Sequence, residues 1–158
     1  MLPKVSVIVI TYNHQNFLAQ TLDSVLEQET NFDFEIIISD DCSTDQTPTI
    51  IRAYQAKYPN KIKALLHPKN LGGFGKNNTL AALEACSGQY IAALDGDDYW
   101  IDKNKLQTQA DYLDQNPNFS GCFHNAEIRY NDNPNAQTST NKSTFLPAFA
   151  CKFSCNWW

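Results

Sequence analysis

The alternation of short β-branched runs with helical apolar stripes constrains this chain more than any other feature of its sequence. Residues 5–10 are Val-Ser-Val-Ile-Val-Ile and residues 34–39 are Phe-Glu-Ile-Ile-Ile-Ser, which is typical of strands buried on both faces. Between these runs, apolar residues recur at helical spacing across residues 14–29. Because this order repeats along the chain, the pattern predicts an α/β fold with a mainly parallel sheet and helices on both faces.

The remaining elements follow from the same pattern. Ser43 and Gln46 have the spacing of a capping box, which predicts the start of a second helix. After the glycine-rich turn at residues 72–75, we expect a third helix whose apolar stripe includes Leu80 and Leu83, with Gly88 as its stop. A fourth helix is expected from Leu106 to just before Pro117. Further strands are predicted at residues 62–66, 89–94 and 119–130.

The composition changes after residue 130. The length of 158 residues suits a single domain, and we expect that domain to cover residues 1–130. Residues 131–144 are almost wholly polar, which predicts a loop or linker. Residues 145–158 are aromatic and apolar and finish on two tryptophans, which indicates the beginning of a further segment of a larger fold.

Charge and cysteine content exclude several classes of partner. The net charge of −5 argues against nucleic acid or an anionic membrane surface as the main partner. No run approaches 18 apolar residues, so no transmembrane segment is expected. The five cysteines are scattered without framework spacing, which favours reduced thiols in a reducing compartment. We therefore expect a cytoplasmic protein, either free or peripheral at the inner face of the membrane.

Three polar clusters follow three of the predicted strands. They are residues 11–13 (Thr-Tyr-Asn), residues 40–41 (Asp-Asp) and residues 95–98 (Asp-Gly-Asp-Asp). In a parallel α/β sheet, ligands bind beyond the carboxyl ends of the strands, and all three clusters should meet there. Turn formation explains any one such cluster, but five carboxylates at one edge raise each other's pKa unless a cation offsets their charge.

The acidic loop at residues 95–98 predicts a metal site. Mg²⁺ and Mn²⁺ take oxygen ligands from one or two carboxylates together with the phosphates of a substrate. Gly96 is expected to let the backbone turn tightly, so that Asp95 and Asp97 face the same ion.

Two other classes of protein use similar folds and are excluded. A nicotinamide-dependent oxidoreductase requires a Gly-x-Gly-x-x-Gly turn after the first strand, and residues 11–16 contain no glycine. A phosphoacceptor signalling domain would carry its acidic pair after the first strand, whereas here the pair follows the second.

These segments, taken together, resemble a known family. Residues 7–13, 35–45 and 94–100, with the linking residues 70–73 and the later Trp100-x4-Lys105-Leu106, are similar to the successive signatures of family 2 glycosyltransferases with the GT-A fold. The resemblance covers residues 3–130. Each motif is weak alone, but their order and spacing make the match specific.

The resemblance implies contacts with a nucleotide. Asp41 would accept a hydrogen bond from the base, with the imide N–H of uracil as the first expectation, and Tyr12 would lie against that base. Ile10 and Thr11 would line the pocket through their backbone. The predicted nucleotide-binding set is Ile10, Thr11, Tyr12, Asn13, Asp41, Gly72, Asn77 and Asp95.

The resemblance also assigns the acidic loop. Asp97 would bind Mn²⁺ or Mg²⁺ and bridge it to the pyrophosphate, while Asp95 would reach either the ribose or the metal. Asp98 would support the loop. Family members often carry an Arg-Asn pair after the glycine-rich turn, but this chain has Asn77-Asn78, so the usual cation is missing. Lys76 is adjacent, although its side chain would leave the helix about 100° away.

The implied reaction is transfer of a sugar from a nucleotide diphosphate sugar to a hydroxyl of a saccharide, lipid-linked or protein acceptor, with inversion. Residues 1–130 would then be the GT-A nucleotide-sugar-binding domain, and residues 145–158 would begin an incomplete acceptor-side segment. The reaction needs a general base. Glu127 and Asp132 carry no supporting signal, so the base is expected beyond Trp158. The alternative is a nucleotide-sugar-binding fragment that lacks the catalytic base.

Overall fold

The computed structural model describes residues 2–128 and 139–140 of the chain. Its elements in chain order are β1 (Val5–Thr11), α1 (Leu18–Leu26), β2 (Phe34–Asp40), α2 (Thr47–Lys57), β3 (Ile62–Leu66), α3 (Lys76–Glu84), β4 (Tyr90–Asp95), α4 (Lys105–Gln115), β5 (Glu127–Ile128) and β6 (Ser139–Thr140). The predicted linker at 131–144, apart from residues 139–140, and the predicted segment at 145–158 lie outside the described residues.

The first four strands form one parallel sheet in the order β3-β2-β1-β4. At the carboxyl end of this sheet, Thr11 pairs with Asp40 and Ile10 pairs with Asp95. The register therefore places the ends of β1, β2 and β4 side by side. The predicted α/β class with a mainly parallel sheet is confirmed.

The two faces of the sheet bury separate apolar clusters, because successive side chains of a strand point to opposite faces. On one face, Val7 and Ile36 belong to a core that includes Leu22 of α1 and Ile51 of α2. On the other face, Ile8 and Ile37 pack with Ala82 of α3. The prediction of helices on both faces is therefore correct.

The predicted fifth strand is wrong over residues 119–126, which contain no regular strand. β5 comprises two residues and pairs antiparallel with β6. The sequence explains the shortness, since no β-branched residue occurs from 119 to 127 and Gly121 interrupts the run.

The predicted capping box is also wrong. α2 begins at Thr47 after Gln46, without a side-chain cap. Ser43 is instead held by Asp40, whose carboxylate accepts hydrogen bonds from the Ser43 N–H at 3.0 Å and from the Ser43 hydroxyl. The Ser43 side chain therefore bonds to Asp40 at the end of β2 and does not cap α2.

α3 differs from its prediction in two respects. Its inward positions are Asn78 and Ala82, while Leu80 and Leu83 are 46% and 37% exposed. The helix ends at Glu84, so Gly88 is not its stop. A Cβ at Gly88 would lie 2.5 Å from the backbone nitrogen of Ser6, so the glycine is required because this loop passes directly against β1.

The chain divides into two compact units, the first ending at Ala110 and the second beginning at Asp111. The predicted domain boundary at residue 130 stays a prediction. Among the described helices, none combines the length and the hydropathy that a bilayer span requires.

Candidate functional site

An open cleft of about 430 Å³ lies at the carboxyl ends of β1, β2 and β4. Six of the eight residues predicted to contact a nucleotide line it: Ile10, Thr11, Tyr12, Asp41, Gly72 and Asp95. Asn13 and Asn77 are not part of the lining. Most of the residues that the resemblance assigned to a nucleotide therefore lie at one cleft, and the two asparagines have other contacts.

Asn13 connects the loop after β1 to the loop after β2. Its backbone has a left-handed φ of 57°. Its N–H donates to the Ser43 hydroxyl at 2.8 Å, and its side-chain oxygen accepts the Thr44 N–H at 2.8 Å. These contacts hold the two loops together at the rim of the cleft, so its predicted contact with a nucleotide stays a prediction.

Asp41 joins the end of β2 to the segment before the glycine-rich turn. Its carboxylate accepts the backbone N–H of Leu71 at 2.6 Å, and its carbonyl accepts the Asn70 side-chain amide at 3.1 Å. The residue is 5% exposed and lines the cleft. Asp41 therefore has a structural contact in addition to the base contact predicted for it.

The glycine-rich turn forms one wall of the cleft. Gly72, Gly73, Phe74 and Gly75 all have positive φ, at 69°, 70°, 53° and 82°. Such a run favours glycine, because residues that carry a side chain rarely adopt a positive φ. Phe74 is the exception, and its fully exposed ring lines the cleft.

The two asparagines that replace the expected Arg-Asn pair behave differently. Asn77 is exposed and donates from its side chain to the Leu71 carbonyl at 2.8 Å. Asn78 is buried, donates to the Ser39 carbonyl at 3.0 Å and accepts the Ser39 hydroxyl at 2.6 Å. Lys76 is exposed and is not part of the cleft lining.

His67 extends this buried pair. Its Nε2 lies 3.1 Å from the Ser39 hydroxyl. Because the Ser39 proton is directed to Asn78, His67 donates from Nε2 to the Ser39 oxygen. The three side chains brace α3 against β2 beneath the cleft.

The acidic loop follows β4 directly. The Gly96 N–H donates to the Ile10 carbonyl at 2.8 Å, and the Asp98 N–H donates to the Asp95 carbonyl at 3.1 Å. Gly96 is not among the glycines of positive φ. A Cβ there would instead lie 2.8 Å from the Thr11 side chain and from His14 Nδ1. The loop turns tightly at Gly96, as expected, but its φ is not left-handed, and the glycine is required because a side chain would clash with Thr11 and His14.

Asp98 feels the charges of the other two carboxylates of this loop. Partial burial raises the pKa of Asp98, and the charges of Asp97 and Asp95 raise it further, against an opposing effect of His14. Asp95, Asp97 and Asp98 are all exposed. Nearby like charges of this kind are stabilised by a cation.

The donor set fits a hard divalent ion that a substrate helps to coordinate. Within the described part of the chain, no three His, Cys, Asp or Glu side chains are grouped to hold a metal by themselves. Asp95 and Asp97 have exposed carboxylate oxygens, and two carboxylates would suffice as the protein ligands of a Mg²⁺-type site that phosphates and water complete.

The cleft carries negative charge. Among the residues that the structure describes, its lining includes the carboxylates of Asp41 and Asp95 but no Lys or Arg. An anionic ligand therefore finds no Lys or Arg in this lining, in which His14 is the side chain that can become cationic.

Sequence reasoning missed Ser39, Asn70 and Phe74 as parts of the site. Ser39 and Asn70 act through contacts between segments about 30 to 40 residues apart, which a local pattern does not reveal. Phe74 had a signal, since an aromatic residue between glycines is exposed in a turn.

The chain belongs to glycosyl transferase family 2, whose family model matches residues 6–157. Its fold is the GT-A fold of glycosyltransferases of known structure. It is 37% identical to Staphylococcus aureus TarS in a crystal structure with UDP, with a TM-score of 0.60, covering 71% of this chain and 32% of that one. A mannosyltransferase from Pyrobaculum calidifontis, solved with GDP-Man and Mn²⁺, gives a TM-score of 0.65 at 25% identity, covering 75% of this chain and 34% of that one.

Relatives compared by sequence are longer than this chain. The poly(ribitol-phosphate) β-N-acetylglucosaminyltransferase TarS of S. aureus is 38% identical over 71% of this chain and 19% of its own length. The teichuronic acid biosynthesis glycosyltransferase TuaG of Bacillus subtilis is 40% identical over 70% of this chain and 42% of its own length. A Mycobacterium tuberculosis protein is 41% identical over 80% of this chain, which is 36% of that protein.

Proposed function

We propose that this chain forms the donor-binding part of a metal-dependent, inverting glycosyltransferase. The donor would be a nucleotide diphosphate sugar, with a UDP-sugar as the first candidate. The observation that carries this proposal is the cleft itself, in which two carboxylates and no Lys or Arg side chain line the place predicted for a nucleotide. A divalent counterion would offset the repulsion between a diphosphate and these carboxylates.

The nucleoside would bind between the loops after β1 and β2. Tyr12 is 48% exposed at the cleft and would lie against the base. The Asp41 oxygen that does not bind Leu71 would accept the base N–H. Ile10, Thr11 and Gly72 would line the pocket, and Asn13 and Asn77 would support it through the loops they connect.

The cation would be Mn²⁺ or Mg²⁺, held by Asp97 with Asp95 as a second ligand or as a contact to the ribose. When bound, such an ion acts as a Lewis acid that offsets charge on the departing diphosphate. Asp98, whose pKa is raised by burial and by its two acidic neighbours, would support the loop. The relative solved with Mn²⁺ and GDP-Man supports this assignment.

The acceptor side of the reaction remains a prediction from the family resemblance. A saccharide, lipid-linked or protein hydroxyl would attack the sugar, and a general base would remove its proton. This chain spans 19% to 42% of the length of the relatives described above. We therefore retain the alternative that these residues bind donor without the catalytic base. A cytoplasmic location, free or peripheral to the membrane, also stays a prediction.

Titration calorimetry of the chain with UDP-, GDP- and dTDP-sugars, with and without Mn²⁺, tests the proposal. We expect one nucleotide class to bind, and to bind more tightly with Mn²⁺. Asp97→Ala should abolish the effect of Mn²⁺, whereas Glu84→Ala, which removes an exposed carboxylate at the end of α3, should preserve it. If no nucleotide sugar binds and Asp97→Ala changes nothing, the proposal is wrong.

A further inference from the structure

A buried polar contact between α1 and the acidic loop has no place in the function described so far. The hydroxyl of Thr21 donates to the Gly96 carbonyl at 3.0 Å, across 75 residues of sequence. Thr21 is 1% exposed. Gly96 lies between Asp95 and Asp97, so this bond holds the peptide that separates the two carboxylates.

Thr21 belongs to a polar stripe on the same side of α1, which we define as Thr21, Ser24 and Gln28. The Ser24 hydroxyl accepts a hydrogen bond from the backbone N–H of Trp100 at 3.0 Å. Gln28, just beyond the helix, donates to the Asp102 carbonyl at 2.7 Å and accepts the Leu106 N–H at 3.0 Å. The spacing of three and four residues places these side chains along one line. The stripe therefore holds the backbone that follows β4 at successive points.

The backbone of Gly96 is fixed at three points. Its N–H is bonded to the Ile10 carbonyl, its carbonyl is bonded to Thr21, and its Cα has no room for a side chain beside Thr11 and His14. Of the stripe's contacts, the one made by Thr21 is nearest in sequence to the carboxylates. A shift of the Gly96 backbone would change the directions of the Asp95 and Asp97 side chains.

His14 approaches the same loop from the turn before α1. Its Nε2 lies 3.9 Å from the Asp97 carboxylate, and its buried Nδ1 has no hydrogen-bond partner. Its carbonyl accepts the N–H groups of Phe17 and Leu18 at 3.0 and 2.9 Å, which fixes its backbone to the start of α1. The backbone of His14 is therefore fixed to the start of α1, and its ring lies beside Gly96 and Asp97.

We infer that Thr21, assisted by His14, is a positioning residue that sets the Asp97 carboxylate for the divalent cation. This inference rests on the proposed function. Partners that orient a metal-binding group affect metal affinity even though they do not touch the ion. α1 would thus contribute to cation binding through its side chains, without contacting the nucleotide.

The test measures Mn²⁺ binding directly, by the loss of the free Mn²⁺ electron paramagnetic resonance signal at saturating UDP. We expect Thr21→Val to raise the apparent Kd for Mn²⁺ by about 10-fold, and Thr21→Ser to restore it to within about 2-fold. Ser24→Ala is the matched control, since it removes the neighbouring contact of the same stripe and should change that Kd by less than about 2-fold.

Binding of uridine without metal, measured by NMR, distinguishes a change at the Asp97 carboxylate from a general distortion of the cleft. Thr21→Val should weaken it far less than it weakens Mn²⁺ binding, because the proposed contacts to the base lie on the loops after β1 and β2. Equal Mn²⁺ affinity in Thr21→Val and the unmodified chain would overturn the inference, as would a parallel loss of uridine binding or an equal effect of Ser24→Ala.

His14→Phe provides a second arm in case Thr21→Val does not fold, since it retains a ring against Gly96 but removes Nε2. We expect it to raise the Kd for Mn²⁺ by about 3-fold or more, and an unchanged Kd would count against the inference. If the unmodified chain binds neither UDP-sugar, GDP-sugar nor dTDP-sugar with Mn²⁺, the proposed function has failed instead.

Discussion

The carboxylate of Asp41 accepts the backbone N–H of Leu71 at 2.6 Å, which ties the end of β2 to the segment that leads into the glycine-rich turn. Asp41 is thus a structural residue as well as the predicted partner of a base. The two roles use different oxygens of one carboxylate, so they can be separated by substitution.

We expect Asp41→Asn to retain stability, because the amide oxygen still accepts the Leu71 N–H. It should weaken nucleoside binding by about 10-fold, since the amide NH₂ now faces a base N–H. Asp41→Ala should also lower the free energy of unfolding by about 1 kcal/mol, because the partly buried Leu71 N–H loses its partner. Denaturant unfolding and uridine titration measure the two effects. A loss of stability in Asp41→Asn equal to that of Asp41→Ala would refute the separation.

The adjacent asparagines at the start of α3 form a matched pair for a stability measurement. Asn78→Ala should lower the free energy of unfolding by about 2–3 kcal/mol, since it leaves the buried Ser39 carbonyl and hydroxyl without this partner. Asn77→Ala removes one exposed contact and should cost about 0.5 kcal/mol. Urea denaturation of both variants checks the difference, and similar values would contradict the buried pair.

Gly96 should be intolerant of any side chain. A Cβ there would lie 2.8 Å from His14 and Thr11, so Gly96→Ala should destabilise the chain by about 1–3 kcal/mol and weaken Mn²⁺ binding with nucleotide. Gly121→Ala is the control, because nothing lies within 4 Å of its Cβ position and its φ is not positive. Thermal unfolding and calorimetry compare them. Equal melting temperatures would show that the loop has room to move.

The stability of the fold should depend on pH through Glu35, which lies near the amino end of β2, away from the cleft. Burial alone would raise its pKa, but hydrogen bonds from Ser6 and Ser87 and the charge of Lys63 outweigh burial, so the pKa is lowered. One carboxylate oxygen accepts the Ser6 hydroxyl at 2.6 Å and both the N–H and hydroxyl of Ser87 at 2.7 Å. A carboxylate with a lowered folded-state pKa stabilises the fold above its unfolded-state pKa, and that contribution is lost as the pH falls through the folded-state pKa.

Glu35→Gln should therefore lower the free energy of unfolding by about 1 kcal/mol at neutral pH and by less in acid. Urea unfolding between pH 3 and pH 7, with Glu84→Gln as an exposed control, measures this effect. A constant difference across that range would show that the charge of Glu35 contributes nothing.

The sequence was sufficient for the features that depend on order along the chain. The β-branched runs and the clusters at residues 11–13, 40–41 and 95–98 predicted the parallel sheet and the edge where the cleft lies. That worked because strand ends in such a sheet meet by topology alone. The clusters needed no knowledge of side-chain contacts.

Features that depend on contacts between distant segments were missed or given the wrong cause. Ser43 was assigned to a helix cap, but Asp40 binds it. Gly96 was explained by the tight turn of its own backbone, but the contacts that exclude a side chain come from Thr11 and His14, which are distant in sequence. The bond from Thr21 to Gly96 joins residues whose proximity exists only after β4 has paired with β1.

The loop after β1 contacts both of its neighbours at the cleft. Asn13 bonds to the loop after β2, and His14 approaches the loop after β4. For protein engineering, this makes the segment a poor place to begin, since one change there would alter nucleoside and cation affinity together. Asp41 and Asp97 are better starting points, since the proposed function gives the first a contact to the base and the second a contact to the cation.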